Sequence, residues 1–291
     1  MSHPATLPDA APSSVVYEQP LTERLRAFLR LEFLWQQAEY HRSTPTALSS
    51  RAAVASLLEI LAITARGDAR GDVLKELERQ MALLRDYQNR QGVDAGRLRS
   101  ILTDLVRRRD ELNGAGSNFM QPLRDSEFLA AIKHRSAIPG GTCEFDLPDY
   151  FHWLNRPAER RVDDLKGWLG TIRPLCEAVS ELLWITRENA RPRRETATGG
   201  VYQLSFDRDA PVQLLRITLP GIVAPSSLGK RHPEETQASN VTCAIAGSRS
   251  SGAGLRDGLT EHAHHQGRAV RAHGGLEPRA ARVLGARRGQ P

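Results

Sequence analysis

The stretch Pro174-Leu175-Cys176-Glu177-Ala178-Val179-Ser180-Glu181-Leu182-Leu183 leads, past Ala190, into Thr196 to Phe206 and then Val212-Gln213-Leu214-Leu215-Arg216-Ile217-Thr218-Leu219. Leu175, Val179, Leu182 and Leu183 align at helical spacing, so Pro174 is expected to open a final helix. After Ala190 the apolar residues take alternating positions: Val201, Leu204 and Phe206, then Leu215, Ile217 and Leu219. Turn-forming Asp207, Asp209 and Pro211 separate the two runs, which predicts two antiparallel strands. This change of period sets the fold class as α+β, a mainly helical domain with a small antiparallel β domain. Two strands alone are barely stable in water, so the sheet needs further strands or a helical surface to lie on.

Working upstream, the helical domain covers 15–190. From Tyr17 the chain reads as its first helix, with Pro20 in the first turn. Leu25, Phe28, Leu31, Phe33 and Leu34 are apolar on more than one face, as in a helix packed on several neighbours. A second helix spans about Ser50 to Thr64, with Gly67 as a candidate C-terminal cap. Segments from Asp72 to Asn89 and from an Asp94 cap onward carry narrow apolar stripes and read as an antiparallel helical hairpin. A helix over 122–135 stops at Ile138-Pro139-Gly140-Gly141. Residues 138–148 then form a connector or a strand joining the β domain, before short helical stretches near Tyr150–Leu154 and Pro157–Leu169. At the ends, 1–14 with three prolines read as a disordered leader, and 191–220 as a truncated β domain. Residues 221–291 have no aromatic residue and no sustained period, which predicts a basic, low-complexity, disordered tail.

The 291 residues carry a net charge of +6 and a sequence pI of about 9.6. Ten of the 40 Lys and Arg and five of the 34 Asp and Glu fall in 221–291, so the tail carries +5 of that charge. The remainder is almost neutral, and an acidic partner must be recognised by local arginine patches rather than by bulk charge. Cys143, Cys176 and Cys243 are odd in number and widely spaced, which argues against a disulfide framework or a zinc site and favours a reducing compartment. No run approaches roughly 18 apolar residues, and no export signal opens the chain, so a cytoplasmic protein without membrane contact is expected.

Chemical motifs are sparse. His262, His264 and His265 lie in the low-complexity tail, where a chance cluster outweighs a metal chelate. Ala224 to Arg231 departs from a phosphate loop at both its first glycine and its final hydroxyl residue. Arg66-Gly67-Asp68 is better explained as a helix stop, and no GxSxG nucleophile turn occurs. Neither catalysis nor a cofactor is indicated. Arg107–Arg109 and Arg160–Arg161 read first as solvated helix faces, and Arg191, Arg193 and Arg194 as helix-terminal cations.

Three separated motifs resemble the ZapD family of bacterial cell-division proteins, in the right order between about Tyr17 and Leu219. They are Tyr17-Glu18-Gln19-Pro20-Leu21 with Leu29-Arg30-Leu31-Glu32-Phe33-Leu34-Trp35, then Leu74-Lys75-Glu76-Leu77-Glu78-Arg79-Gln80, and most specifically Ser136-Ala137-Ile138-Pro139-Gly140-Gly141-Thr142-Cys143-Glu144-Phe145-Asp146-Leu147-Pro148. The resemblance implies a non-enzymatic homodimer at the midcell division site that binds the C-terminal tail of FtsZ. It further implies bundling of FtsZ protofilaments, Z-ring assembly and lower GTPase turnover. Matched to basic positions of the family, the candidate FtsZ-tail contacts are Arg26, Arg30, Arg66, Arg70 and Arg216.

After Leu219-Pro220 the resemblance ends where the family continues with further strands, one of them basic. Because Ala, Gly, Arg and Pro are the products of GC-rich codons, 221–291 reads as an out-of-frame segment that leaves the sheet short. The competing reading is a helical protein that binds nucleic acid through its basic tail. No nucleic-acid partner is expected from the body, whose arginine clusters lack the interleaved aromatic residues of single-strand binders.

Overall fold

The computed structural model describes residues 14–88, 94–197, 201–206, 212–220, 239–247, 268–273 and 284–285. The chain divides into two compact units, residues 26–185 and residues 1–25 with 186–291. The helices are α1 (Glu23–Ser43), α2 (Ala47–Thr64), α3 (Ala69–Tyr87), α4 (Ala95–Gly114), α5 (Gln121–Arg124), α6 (Glu127–Ser136), α7 (Pro148–Leu154) and α8 (Ala158–Glu188). The strands are β1 (Ser14–Pro20), β2 (Arg191–Ala197), β3 (Val201–Phe206), β4 (Val212–Pro220), β5 (Ser239–Gly247), β6 (Arg268–His273) and β7 (Leu284–Gly285). Helices and antiparallel strands coexist as the sequence predicts.

Local chemistry explains most helix boundaries. Thr46, Asp68, Asp94 and Ser126 cap α2, α3, α4 and α6 by accepting backbone N–H groups of the first turn. The Asp94 carboxyl is held below its usual range by the N–H groups of Arg97 and Gly96. Gly67 is not the left-handed cap expected of it. Ala65 closes α2 in a right-handed conformation, and Asp68 of the same tripeptide starts α3. Arg70, at the start of α3, donates to Leu112 O and Asn113 Oδ1 at the end of α4, so the two helices run antiparallel.

Helix α2 is the one described helix long and apolar enough to cross a membrane, with a mean hydropathy of 1.5. It is a core helix here: Ala53, Val54, Leu57 and Ile60 are completely buried. Arg161 of α8 donates to its Ser50.

Two helical expectations change. Residues 122–135 are broken at Asp125, where Ser126 restarts the helix as α6. Pro174 lies inside α8 rather than at its start. An interior proline forfeits one backbone bond and costs about 3 kcal/mol. Burial of Leu165, Leu169 and Ile172 before it and Leu175, Val179 and Leu182 after it, at about 1.5–3 kcal/mol per side chain, outweighs that cost.

The β unit departs further. Tyr17 to Pro20 belongs to a strand, not a helix. β1 pairs antiparallel with β4, with Glu18 opposite Arg216 and Tyr17 opposite Ile217. Thr22 Oγ1 accepts Leu25 N at 3.2 Å, and the helix starts after it. Pro20 is tolerated because β1 is an edge of the four-stranded sheet β1-β4-β5-β2. β3 and β4 are not partners as expected, for β3 joins the second sheet, β3-β6-β7. The truncated domain of 191–220 is therefore extended from both sides, with β1 before it and β5, β6 and β7 after it. The leader 1–13 and the greater part of 221–291, with His262, His264 and His265, lie outside the described residues. Of the expected connector or strand 138–148, residues 138–146 form successive turns and bends, Pro148 opens α7, and none is a strand. Arg191, Arg193 and Arg194 lie on β2 rather than at a helix end.

Candidate functional site

The five candidate arginines divide between the units. Arg26, Arg30, Arg66 and Arg70 lie in the helical unit and Arg216 in the β unit. On α1, Arg26, Arg30, Phe33, Gln37 and Tyr40 follow steps of four, three, four and three, and so share one face. Arg26 is half-buried and Arg30 exposed, while Phe33 and Tyr40 are each 64% exposed. Phe33 was expected in the core. Its step from Arg26 and Arg30 is the signal that places it with them instead. The face therefore combines guanidinium groups with two exposed rings, a pairing suited to a peptide that carries both carboxylates and apolar groups.

Arg66 is exposed immediately after α2, and its neighbour Ala65 lines a cavity of about 510 Å³. Leu58, Leu61, Leu123 and Leu129 form its apolar wall, and Arg124, Lys133 and His134 supply its polar rim. Arg124 donates to Thr64 O at 3.3 Å, which ties α5 to the end of α2. Sequence reasoning does not find this cavity, because its wall comes from three helices and its cations are scattered over ten positions.

Arg70 is occupied in tying α3 to α4, as described above, and Arg216 is occupied as well. Glu18 receives two bonds from Arg187, at 2.8 Å each from Nε and Nη2. Arg216 Nε lies 2.9 Å from Glu18 Oε1 but off the hydrogen-bond direction, so that contact is an ion pair only. Two cations thus share one half-buried carboxylate. Glu18→Gln is expected to destabilise the β unit by about 1.5–3 kcal/mol, since it removes a charge-assisted bidentate contact. Urea titration followed by circular dichroism checks this, and a change below about 0.5 kcal/mol would mean the triad contributes nothing.

The other arginine clusters have structural partners. Arg107 pairs with Asp104 and Glu111, Arg108 with Glu111 and Glu177, and Arg109 with Asp110. Arg160 is exposed, whereas Arg161 is buried. Among the described residues no group of three His, Cys, Asp or Glu side chains is placed to hold a metal ion. Burial pushes the Cys176 thiol well up, with Glu177 and Glu39 adding to the effect, so it stays protonated.

The motif 136–148 proves to be a turn cassette. Gly140 has φ +73°, and a Cβ on Gly141 would lie 2.5 Å from Arg135 O, so both positions require glycine. Arg51 of α2 donates to Thr142 O at 3.1 Å and Thr142 Oγ1 at 2.7 Å. Its guanidinium carbon also sits 5.2 Å from the Tyr150 ring centroid. Burial raises the Tyr150 phenol to about 12 against the opposing Arg51 charge. Behind it, Phe128, Trp153 and Trp168 pack with centroids 5.6–5.9 Å apart.

The family model described as ZapD, cell division protein, matches residues 29–225, which takes in this cassette, the cavity and the α1 face from Arg30 onward. The chain belongs to the ZapD family. It is 39% identical over 205 residues to the cell division protein ZapD of Dechloromonas aromatica, covering 70% of this chain and 81% of that one. It is 38% identical over 208 residues to ZapD of Methylococcus capsulatus, at 72% and 82% coverage. A third relative, ZapD of Aromatoleum aromaticum, is 36% identical over 212 residues. The ZapD match stops just past β4. A role in cell division follows from the family.

Proposed function

We propose that the chain binds the C-terminal tail of FtsZ, links FtsZ protofilaments as a homodimer and lowers their GTP turnover at the division site in the cytoplasm. The observation that carries this reading is membership of the ZapD family across 29–225. A dimer with one peptide site per subunit is bivalent, and bivalence bundles filaments without chemistry of its own. Exposed Arg30 and Arg66 supply cations that attract a tail bearing carboxylates and fix its register.

Sedimentation of FtsZ with GTP tests the reading, with more FtsZ expected in the pellet when the chain is added. The double variant Arg26→Glu/Arg30→Glu reverses two charges on the α1 face. At roughly 0.5–1 kcal/mol each, its half-maximal pelleting concentration should rise about tenfold. Unchanged pelleting by that variant would remove α1 from the binding surface, and no pelleting by the natural chain would remove the reading.

A further inference from the structure

We infer that the outer edge of β1 pairs with the same edge of a second copy of the chain, antiparallel and centred on Tyr17, so that the two four-stranded sheets continue into one. This rests on the reading that the chain is a homodimer, and it names the surface through which the copies meet.

The sheet order β1-β4-β5-β2 leaves two edges, and they are unlike. β2 reads Arg191-Pro192-Arg193-Arg194-Glu195-Thr196-Ala197. Proline and charged residues on an edge strand guard it against pairing with another chain. β1 has no such guard over Ser14-Val15-Val16-Tyr17, and its one charged residue, Glu18, has its carboxylate held by Arg187 Nε at 2.8 Å. Val16 is 46% exposed. Among the described residues no strand lies on the far side of β1.

The ladder with β4 fixes which backbone groups face outward. Leu21 N donates to Gln213 O at 2.9 Å, and the same antiparallel register runs back through Gln19 opposite Leu215 and Tyr17 opposite Ile217. Opposed residues in such a ladder alternate between hydrogen-bonded and non-hydrogen-bonded pairs, so Val15, Tyr17 and Gln19 bond to β4. The N–H and C=O groups of Val16 and Glu18 therefore point away from β4, where no described strand meets them.

Those groups are self-complementary. Tyr17 is the midpoint of the seven-residue strand, and an antiparallel copy centred on it overlaps all of β1. Val16 of each copy then exchanges both N–H···O bonds with Glu18 of the other. Pro20, which has no N–H to offer, falls opposite Ser14 at the ends. Moving the centre to Val16 or Glu18 shortens the overlap, and the second of these sets Glu18 against Glu18, a like-charge pair. In the full register the contact is a closed two-fold one, and the Tyr17 residues face each other as a non-hydrogen-bonded pair with Cα atoms about 4.5 Å apart.

Sedimentation velocity of the full chain measures self-association, and two variants read the interface. Val16→Pro removes an outward N–H and leaves the bonds to β4 in place. Its dimer dissociation constant should rise at least tenfold with the circular dichroism spectrum unchanged. Tyr17→Cys brings two thiols within the Cα separation that a disulfide spans, about 4.4–6.8 Å. It should form a covalent dimer on mild oxidation that the natural chain, with Cys143, Cys176 and Cys243, does not form. A dimeric natural chain whose Val16→Pro variant associates as tightly, or whose Tyr17→Cys variant stays uncrosslinked, overturns the β1 edge and leaves the homodimer reading standing. A natural chain that sediments as a monomer overturns both.

Discussion

Trp153→Ala is expected to lower the unfolding free energy by about 3–5 kcal/mol, the range for truncating a buried tryptophan. Trp153 is 4% exposed. Its ring lies 5.9 Å from Phe128, 5.9 Å from Tyr150 and 5.6 Å from Trp168, and its Nε1 donates to Asp164 Oδ2 at 2.9 Å. Packing dominates this cost. Asp164 keeps a second partner in Arg156 at 3.1 Å, so loss of the indole N–H does not strand its carboxylate. Trp153→Phe should consequently cost only about 1–2 kcal/mol, for one hydrogen bond and some ring area. Urea titration read by the helical circular dichroism signal separates the two effects. Equal losses in the two variants would mean that the hydrogen bond, not the ring, holds α7 to α8. Against a domain stability of about 5–15 kcal/mol the alanine variant loses a large fraction of the total.

The same cluster shows why the family motif is so specific in sequence. Ser136 to Pro148 looks like a recognition loop, yet its residues do structural work. Gly140 and Gly141 meet backbone constraints, Thr142 receives Arg51, and the turns set α7 so that Tyr150 and Trp153 reach Phe128 and Trp168. A residue pattern set by packing can identify a family while saying nothing about where a partner binds. The candidate surfaces lie elsewhere, on α1 and around the end of α2.

Helices governed by neighbouring residues could be read from their pattern, and elements governed by distant partners could not. Asp94 capping α4 is local, for its carboxylate accepts Gly96 N and Arg97 N within the first turn. β1 is the opposite case. Tyr17, Glu18 and Gln19 have no helical period, and their strand identity comes from Ile217, Arg216 and Leu215, about two hundred positions away. Pairing at that separation leaves no trace in a local window. Pro174 misled for a related reason. Proline marks a helix start by its own geometry, but α8 runs through it on the strength of burial against helices that the local pattern cannot show. The sheet register behaves likewise, since alternation places Leu215 and Ile217 inside without naming β1 and β5 as the neighbours.

The candidate site divides along the same line. Arg26 and Arg30 share a face by spacing alone. What the spacing does not tell is that Phe33 and Tyr40 continue that face into solvent, nor that Arg70 and Arg216 are occupied by Asn113 and Glu18. An arginine's availability depends on what the fold places beside it, and charge patterns along the chain carry no such information.

Arg161→Ala is the second large effect expected, at about 3–4 kcal/mol, and its neighbour Arg160 is the control. The two are adjacent in sequence, and as a pair they read as one basic patch. In the fold Arg161 is 6% exposed and donates to Ser50 Oγ and Pro45 O at 3.1 Å each, and also to Arg156 O. Alanine leaves these three acceptors without their donor, and a buried polar group left unpaired costs about 1–3 kcal/mol, partly relieved where water can enter. Lysine places a single ammonium where a planar fork meets three acceptors, so Arg161→Lys should recover less than half of the loss. Arg160 is exposed, and Arg160→Ala should stay within about 0.5 kcal/mol of the natural chain. Chemical denaturation of the three variants decides the matter, and a loss below about 1 kcal/mol for Arg161→Ala would show that the guanidinium does not hold the start of α8 to the start of α2. Because both arginines carry the same charge, the contrast isolates burial as the property that turns a basic residue from a surface feature into a structural tie.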